Sequence, residues 1–150
     1  MYETILATTD GSEYARAAVE EAVRLAAEHG AALHVLAVVD RRVREATGLS
    51  TEELVTVESE DQCREHLADA ALLAADADIE CECKVSYGVP PERILAYADE
   101  IDADVIVLGT HSDHTKHLGG VGRAVRAGSN REIRVVDDRT TDQLVELHRT

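Results

Sequence analysis

The feature that most constrains the fold is a regular alternation between short runs of branched apolar residues and longer segments with helical periodicity. A chain can lay one strand parallel to the last only through a crossover, and that crossover is usually a helix. The alternation therefore predicts an α/β fold, with a doubly wound five-stranded parallel sheet and helices on both faces. The predicted strands cover residues 4–8, 33–39, 79–85, 105–108 and 133–136.

The third predicted strand differs from the others in its pattern. From Ile79 to Val85, small or apolar side chains alternate with charged ones. A period of two marks a strand with one solvated face, which favours the edge of a sheet. With this strand at an edge, the order 3-2-1-4-5 is the simplest arrangement. The direction of winding then reverses between strands one and four, and ligands bind at the carboxyl ends of strands that flank such a reversal.

Helix signals separate the predicted strands. Apolar residues recur at helical spacing from Ala15 to Ala26, and Gly30 suits the end of that helix. A capping box at residues 50–53 predicts a second helix that runs to about Ala75, and the prolines at 90–91 open a third. A short helical stretch is expected after the loop that follows strand four.

The length and charge of the chain limit its class. Its 150 residues match one domain, predicted over residues 1–136 and followed by a polar tail at 137–150. Thirty acidic residues against fifteen basic ones give a formal charge of −15, a field that repels the backbone of nucleic acids. An acidic chain with only two lysines also resembles proteins of salt-loving archaea.

The cysteines and the absence of a long apolar span predict a reduced, cytoplasmic protein. Three cysteines are too few, and odd in number, for a disulfide framework, and no apolar leader is evident. Cys81 and Cys83 are predicted to face inward as small apolar side chains, because a tetrahedral metal site would need a second pair of ligands.

Two motifs follow the strands on either side of the predicted reversal. The first strand ends in an aspartate turn, ATTDGSEYA, at residues 7–15. The fourth runs into a glycine-bearing loop, VIVLGTHSDHTKHLGGVGRA, at residues 105–124. In these motifs and in its order of elements, the chain resembles the universal stress protein family, whose loop reads Gly, two residues, Gly, nine residues, Gly, then Ser or Thr.

The resemblance implies a regulatory module that binds ATP or a related adenine nucleotide where the winding reverses. In nucleotide-binding members, the aspartate turn and the end of strand two hold adenine and ribose, and backbone N–H groups of the glycine loop surround the phosphates. Carried onto matching positions, the candidate site comprises Thr8, Thr9, Asp10, Val38, Leu108, Gly109, Ser112, Gly122, Arg123 and Ala124.

Two positions depart from the loop pattern of the family. Ser112 stands in place of the second glycine, and Arg123 stands in place of the final Ser or Thr. Serine adopts positive φ less readily than glycine, whereas the guanidinium fork of arginine can bind a phosphate. A nucleotide-free dimerisation or interaction protein therefore stays open as a second interpretation.

The charge pattern supports an anion site with one reservation. Residues 111–136 carry five cations, Lys116, Arg123, Arg126, Arg131 and Arg134, against two carboxylates, Asp113 and Glu132, for a net +3. Such a basic segment attracts an anionic ligand. Pairing with the acidic surface or a partner subunit is the alternative, and it is preferred for Arg131 and Arg134 beside the last strand. Asp10, likewise, could be simply the N-cap of the first helix, with Glu13 completing the box.

A metal-dependent hydrolase is the sharpest rival idea. His111, His114 and His117 recur every three residues. No glutamate lies among them as a general base, so a solvated loop is preferred, with no metal and no catalytic residue assigned. The expected partner is a second copy of the chain, joined through the last strand.

Overall fold

The computed structural model describes residues 2–10, 13–40, 52–109, 124–125 and 127–136. Strands and helices alternate as predicted. The strands are β1 (Thr4–Thr8), β2 (Ala32–Asp40), β3 (Cys81–Gly88), β4 (Val105–Gly109) and β5 (Glu132–Val136), and the helices are α1 (Glu13–His29), α2 (Glu52–Asp76) and α3 (Pro90–Ile101). Ala124, Val125 and Ala127 are also helical, where the short last helix is expected.

The five strands form one parallel sheet in the order β3-β2-β1-β4-β5, which confirms the predicted fold and topology. β1 lies at the centre, with β2 on one side and β4 on the other. The chain winds from β1 toward β3 and then crosses back to β4, so the winding reverses between β1 and β4.

Both faces of the sheet are covered, because successive side chains of a strand point to opposite sides. Ile5 and Val107 belong to the core cluster beneath α1 and α2. Leu6, Ile106 and Val125 belong to the cluster on the opposite face, beneath α3. Strands buried on both sides need apolar residues at every position, which explains the continuous apolar runs of β1 and β4.

The helix α1 packs on the sheet through a stripe of small residues. All six positions predicted for this stripe are buried: Ala15, Ala18, Val19, Ala22, Val23 and Ala26. The helix ends at Gly30, whose φ of +65° lies in the left-handed region that favours glycine. The next N–H, that of Ala31, donates to the carbonyl of Ala26 at 3.0 Å and so occupies a helix-end acceptor.

The helix α2 covers β2 and β3 with one apolar stripe. Its buried residues include Cys63, Leu67, Ala70 and Ala74, at helical spacing. No helix in the described part of the chain combines the length and apolar character needed to cross a membrane.

The edge strand β3 begins two residues later than predicted. Asp78, with φ of 59°, turns the chain at the end of α2. The N–H of Ile79 then donates back to the carbonyl of Ala74 at 2.8 Å, which holds Ile79 in the turn. Pairing with β2 therefore starts at Cys81, opposite Leu33.

The cysteines of β3 are less enclosed than predicted. Both face the α2 side of the sheet, as predicted, but Cys81 is only half-buried and Cys83 is exposed. An edge strand has a neighbour on one side only, and α2 alone cannot enclose it. The Cys83 thiol nevertheless turns toward α2 and donates to the carbonyl of Leu67 at 3.7 Å. Partial burial there and the adjacent Cys81 thiol raise the pKa of Cys83 to about 11.

Candidate functional site

The carboxyl ends of β1 and β2 lie side by side. Thr8 pairs with Leu36, and the N–H of Thr9 continues the ladder by donating to the Leu36 carbonyl at 3.0 Å. Val38 lies two residues further along β2, so its side chain shares a face with Leu36. It is half-buried against the core beneath α3.

The end of β4 meets the same edge. The register between β1 and β4, continued by one residue, places Leu108 beside Thr8. Leu108 is buried in the core cluster beneath α3, the cluster against which Val38 also packs. Five predicted site residues, Thr8, Thr9, Val38, Leu108 and Gly109, are therefore brought together. The side chains of Val38 and Leu108 share one face of the sheet, where Val38 is partly exposed and Leu108 is buried.

The first glycine of the loop motif packs directly on a helix. A Cβ at Gly109 would lie 2.2 Å from the carbonyl oxygen of Tyr14 and 2.6 Å from the amide nitrogen of Ala15. Only glycine lets the first turn of α1 approach the end of β4 this closely. Sequence reasoning assigned Gly109 to ligand binding and missed its backbone neighbours in α1.

Of the other predicted site residues, the structure describes Asp10 and Ala124. Asp10 is exposed at the end of β1, and its interpretation as an N-cap depends on residues 11–12, which lie outside the described residues. Ala124 is exposed and helical, and its carbonyl accepts the N–H of Gly128 at 3.1 Å. Also outside the described residues are Ser112, Gly122 and Arg123 of the predicted nucleotide site and the three histidines His111, His114 and His117.

Arg131 lies beside the amino ends of the strands, whereas the candidate site lies at their carboxyl ends. Its guanidinium donates to the carbonyl of Ala103 at 2.6 Å, to Asp102 at 3.1 Å and to Asp99 at 3.0 Å. The hydrogen bond to Asp99 is the main reason that the pKa of Arg131 is raised. Arg131 therefore joins the end of α3 to the start of β5, which accords with its preferred interpretation as a surface pair.

Arg134 is also held by acidic neighbours. It donates to a carboxylate oxygen of Glu21 at 3.2 Å, and Arg24 binds the two oxygens of the same carboxylate at 2.7 and 3.0 Å. Glu21 is the buried acid of α1, with 8% of its side chain exposed, and two guanidinium groups stabilise its charge there. Lys116, Arg123 and Arg126, the other cations of the predicted basic segment, lie outside the described residues.

A pocket that sequence reasoning missed opens next to Thr9, between α1 and α2. Its volume is about 220 Å³, and its lining residues are Thr9, Glu13, Arg16, Val19, His66, Asp69, Ala70 and Leu73. The Nδ1 atom of His66 is buried, and no described residue hydrogen-bonds to it. The sequence signal that could have indicated this pocket is a pair of polar residues three apart on each helix: Glu13 and Arg16 on α1, and His66 and Asp69 on α2. No cluster of three metal-binding side chains occurs among the residues that the structure describes.

Known proteins share this fold and sequence pattern. The chain is 30% identical over 113 residues to universal stress protein MJ0531 of Methanocaldococcus jannaschii, a match covering 73% of this chain and 65% of that protein, slightly less than two thirds of its length.

Solved structures agree with the sequence match. Universal stress protein UspA from Lactobacillus plantarum aligns with a TM-score of 0.75 and 27% identity, over 90% of this chain and 97% of that one. The universal stress protein from Archaeoglobus fulgidus in complex with dAMP aligns with a TM-score of 0.67 and 21% identity, over 90% of this chain and 98% of that one. Because the model of the universal stress protein family also matches residues 1–137, this chain belongs to the universal stress protein family.

Proposed function

We propose that the chain is a regulatory module that binds ATP or a related adenine nucleotide at the edge where β1 and β4 end. One observation carries the proposal: these two strand ends are neighbours at the reversal of winding, with Val38 and Leu108 on one face of the edge. Ligands of doubly wound sheets bind in this crevice. The dAMP complex of the Archaeoglobus fulgidus relative supports an adenine nucleotide as the ligand class.

Each part of the nucleotide has a proposed contact. The partly exposed side chain of Val38 suits the adenine base, and the exposed carboxylate of Asp10 suits ribose hydroxyls. From the family motif, the phosphates are assigned to residues 109–124, with Arg123 as their cation. We assign binding to these residues and no catalytic step.

A titration tests the proposal. ATP added to the purified protein in concentrated KCl should give saturable heat with one site per chain. Asp10→Asn retains a side-chain oxygen for helix capping but removes the charge that accepts ribose hydroxyls. We expect it to weaken ATP binding about tenfold, which corresponds to about 1.4 kcal/mol.

A surface carboxylate supplies the matched control. Asp76 is exposed at the last residue of α2, beside the amino end of β3, so Asp76→Asn should leave ATP affinity unchanged. Absence of heat and of nucleotide released from the denatured protein would refute the proposal. Equal loss of affinity in both variants would remove Asp10 from the site.

A nucleotide-free dimerisation or interaction protein is the second candidate. It is favoured by Ser112 and Arg123, which stand where the family motif has Gly and Ser or Thr. If these residues prevent phosphate binding, the double variant Ser112→Gly, Arg123→Ser should gain ATP binding that the parent lacks. Binding by the parent that the double variant weakens supports the nucleotide function instead.

A further inference from the structure

Cys81 and Cys83 hold two thiols side by side on the outer strand of the sheet. Their sulfur atoms are 3.7 Å apart. Both side chains lie on the face toward α2, because their β2 partners, Leu33 and Val35, belong to the core on that face. Solvent reaches Cys83, so an ion can arrive without opening the core.

A disulfide fits this pair poorly. Alternate residues of a strand are separated by about 6.6–6.8 Å between Cα atoms, at the upper end of what a disulfide spans. The two sulfurs would also have to approach to about 2.05 Å. That approach requires β3 to bend, while the register with β2 continues from Cys81 to Gly88.

A bridging metal ion instead requires the two sulfur atoms to move slightly apart. With bonds close to the zinc–sulfur length of about 2.3 Å, a linear sulfur–metal–sulfur unit places the two sulfurs about 4.6 Å apart. Rotation of the exposed Cys83 side chain can supply the extra distance of about 1 Å while the backbone keeps its pairing. The two sulfurs are therefore already near the spacing that a bridging ion requires.

The number of ligands selects the type of metal. Zinc in a structural site takes four ligands, and no cluster of three metal-binding side chains occurs among the described residues. Soft ions such as Cu(I) prefer thiolates and can be held by two of them. Two thiols without a third ligand suit a monovalent soft ion better than zinc.

We propose that Cys81 and Cys83 form a two-coordinate site for a monovalent soft metal ion, Cu(I) or Ag(I). Binding forms two metal–sulfur bonds and releases the two thiol protons, and no electron is transferred. The site is separated from the proposed nucleotide edge, since β2 lies between β3 and β1. It does not depend on nucleotide binding.

The test is an anaerobic titration of the reduced, full-length chain with Cu(I), in competition with a chromogenic Cu(I) chelator. The parent should bind one ion per chain. Cys81→Ser and Cys83→Ser should each weaken binding at least a hundredfold. Cys63→Ser is the matched control: its thiol is buried beneath α2, so this variant should bind like the parent.

X-ray absorption of the loaded parent should show two sulfur neighbours around the metal, and circular dichroism of each metal-free variant should match the parent. Should a variant fail this folding check, Cys83→Ala, at an exposed position, replaces it. The site is overturned if a β3 variant retains parent affinity, if Cys63→Ser loses as much, or if the metal has three or more protein ligands. A Cys81–Cys83 disulfide in place of metal binding would overturn it as well.

Discussion

Gly109 shows how one residue can satisfy two demands. The family motif places a glycine here beside the ligand, and the structure places the backbone of Tyr14 where a Cβ would go. Close packing of α1 on β4 is a sufficient reason for glycine without any ligand. The position that the family motif assigns to the ligand is therefore also one that the packing of α1 requires to be glycine.

Gly109→Ala should destabilise the protein strongly. The added Cβ meets backbone atoms at 2.2–2.6 Å, and backbone in a packed helix cannot rotate away. We expect the free energy of unfolding to fall by about 3 kcal/mol, at the upper end for overpacking, as measured by urea denaturation at constant salt.

Gly128→Ala is the control for Gly109→Ala. Its nearest obstacle is the terminal Cδ1 of Leu95 at 2.7 Å, which can change rotamer. Its cost should be below about 1 kcal/mol. Similar stability losses in the two variants would contradict the assignment of α1 as the obstacle at Gly109.

Among the elements, β1 and β4 are joined at their amino ends by a single carboxylate. The side chain of Asp104 accepts the N–H groups of Glu3 at 2.7 Å and Thr4 at 2.9 Å. In return, the N–H of Asp104 donates to the carbonyl of Thr4 at 2.8 Å. These bonds set where the two central strands start, and thus hold in register the strands whose far ends form the candidate site.

Removing this carboxylate should have a pH-dependent effect. Hydrogen bonds from Glu3 and Thr4 lower the pKa of Asp104 below its ordinary value of 3.8. An acid whose pKa is lower in the folded state than in the unfolded state stabilises the fold at pH values above its unfolded-state pKa. This stabilisation is lost as the pH falls through the folded-state pKa. Asp104→Ala should therefore lower the free energy of unfolding by about 1 kcal/mol at pH 7, a small value because solvent screens an exposed carboxylate. The difference in stability between parent and variant should shrink below about pH 4.

Chemical denaturation of parent and variants from pH 7 to pH 3 measures this difference. Asp104→Asn keeps one acceptor oxygen but cannot ionise, so it should lose less stability than Asp104→Ala at pH 7. A gap between parent and alanine variant that stays constant with pH would show that the charge of Asp104 does not contribute.

For the molecule as a whole, the edge strands of the sheet and the net charge have opposite effects on association between copies of the chain. Among the residues that the structure describes, β5 is the last strand on its side of the sheet, and Ile133 and Val135 on it are only half-buried. An open edge with apolar side chains favours pairing with another chain. The charge of −15 per chain opposes association, and salt screens that repulsion.

We therefore expect a homodimer through β5 that strengthens with salt. Sedimentation equilibrium of the parent should show dimer in concentrated KCl and more monomer at low salt. Val135→Asp should shift the population to monomer, because it adds a carboxylate at the interface. Ser86→Asp, on the opposite edge strand β3, is the control and should remain dimeric; dissociation of both variants alike would argue against β5 as the interface.

The sequence by itself determined the order of elements and their places in the sheet. Continuous apolar runs predicted β2 to be covered on both faces and β4 to be buried, and the period of two around Cys83 identified the edge strand. These patterns are local, since each follows from which sides of one element are covered. The strand order then follows from the short list of allowed topologies.

Only the tertiary structure decided which groups meet across the fold. The contact of Gly109 with Tyr14, the pairing of Arg134 with Glu21, and the partial exposure of Cys83 depend on the angle and distance at which elements pack. No local pattern encodes those distances, because they result from all side chains packing together. For this reason the sequence predicted that β1 and β4 end side by side, while the packing role of Gly109 and the close approach of the Cys81 and Cys83 thiols emerged only from the folded chain.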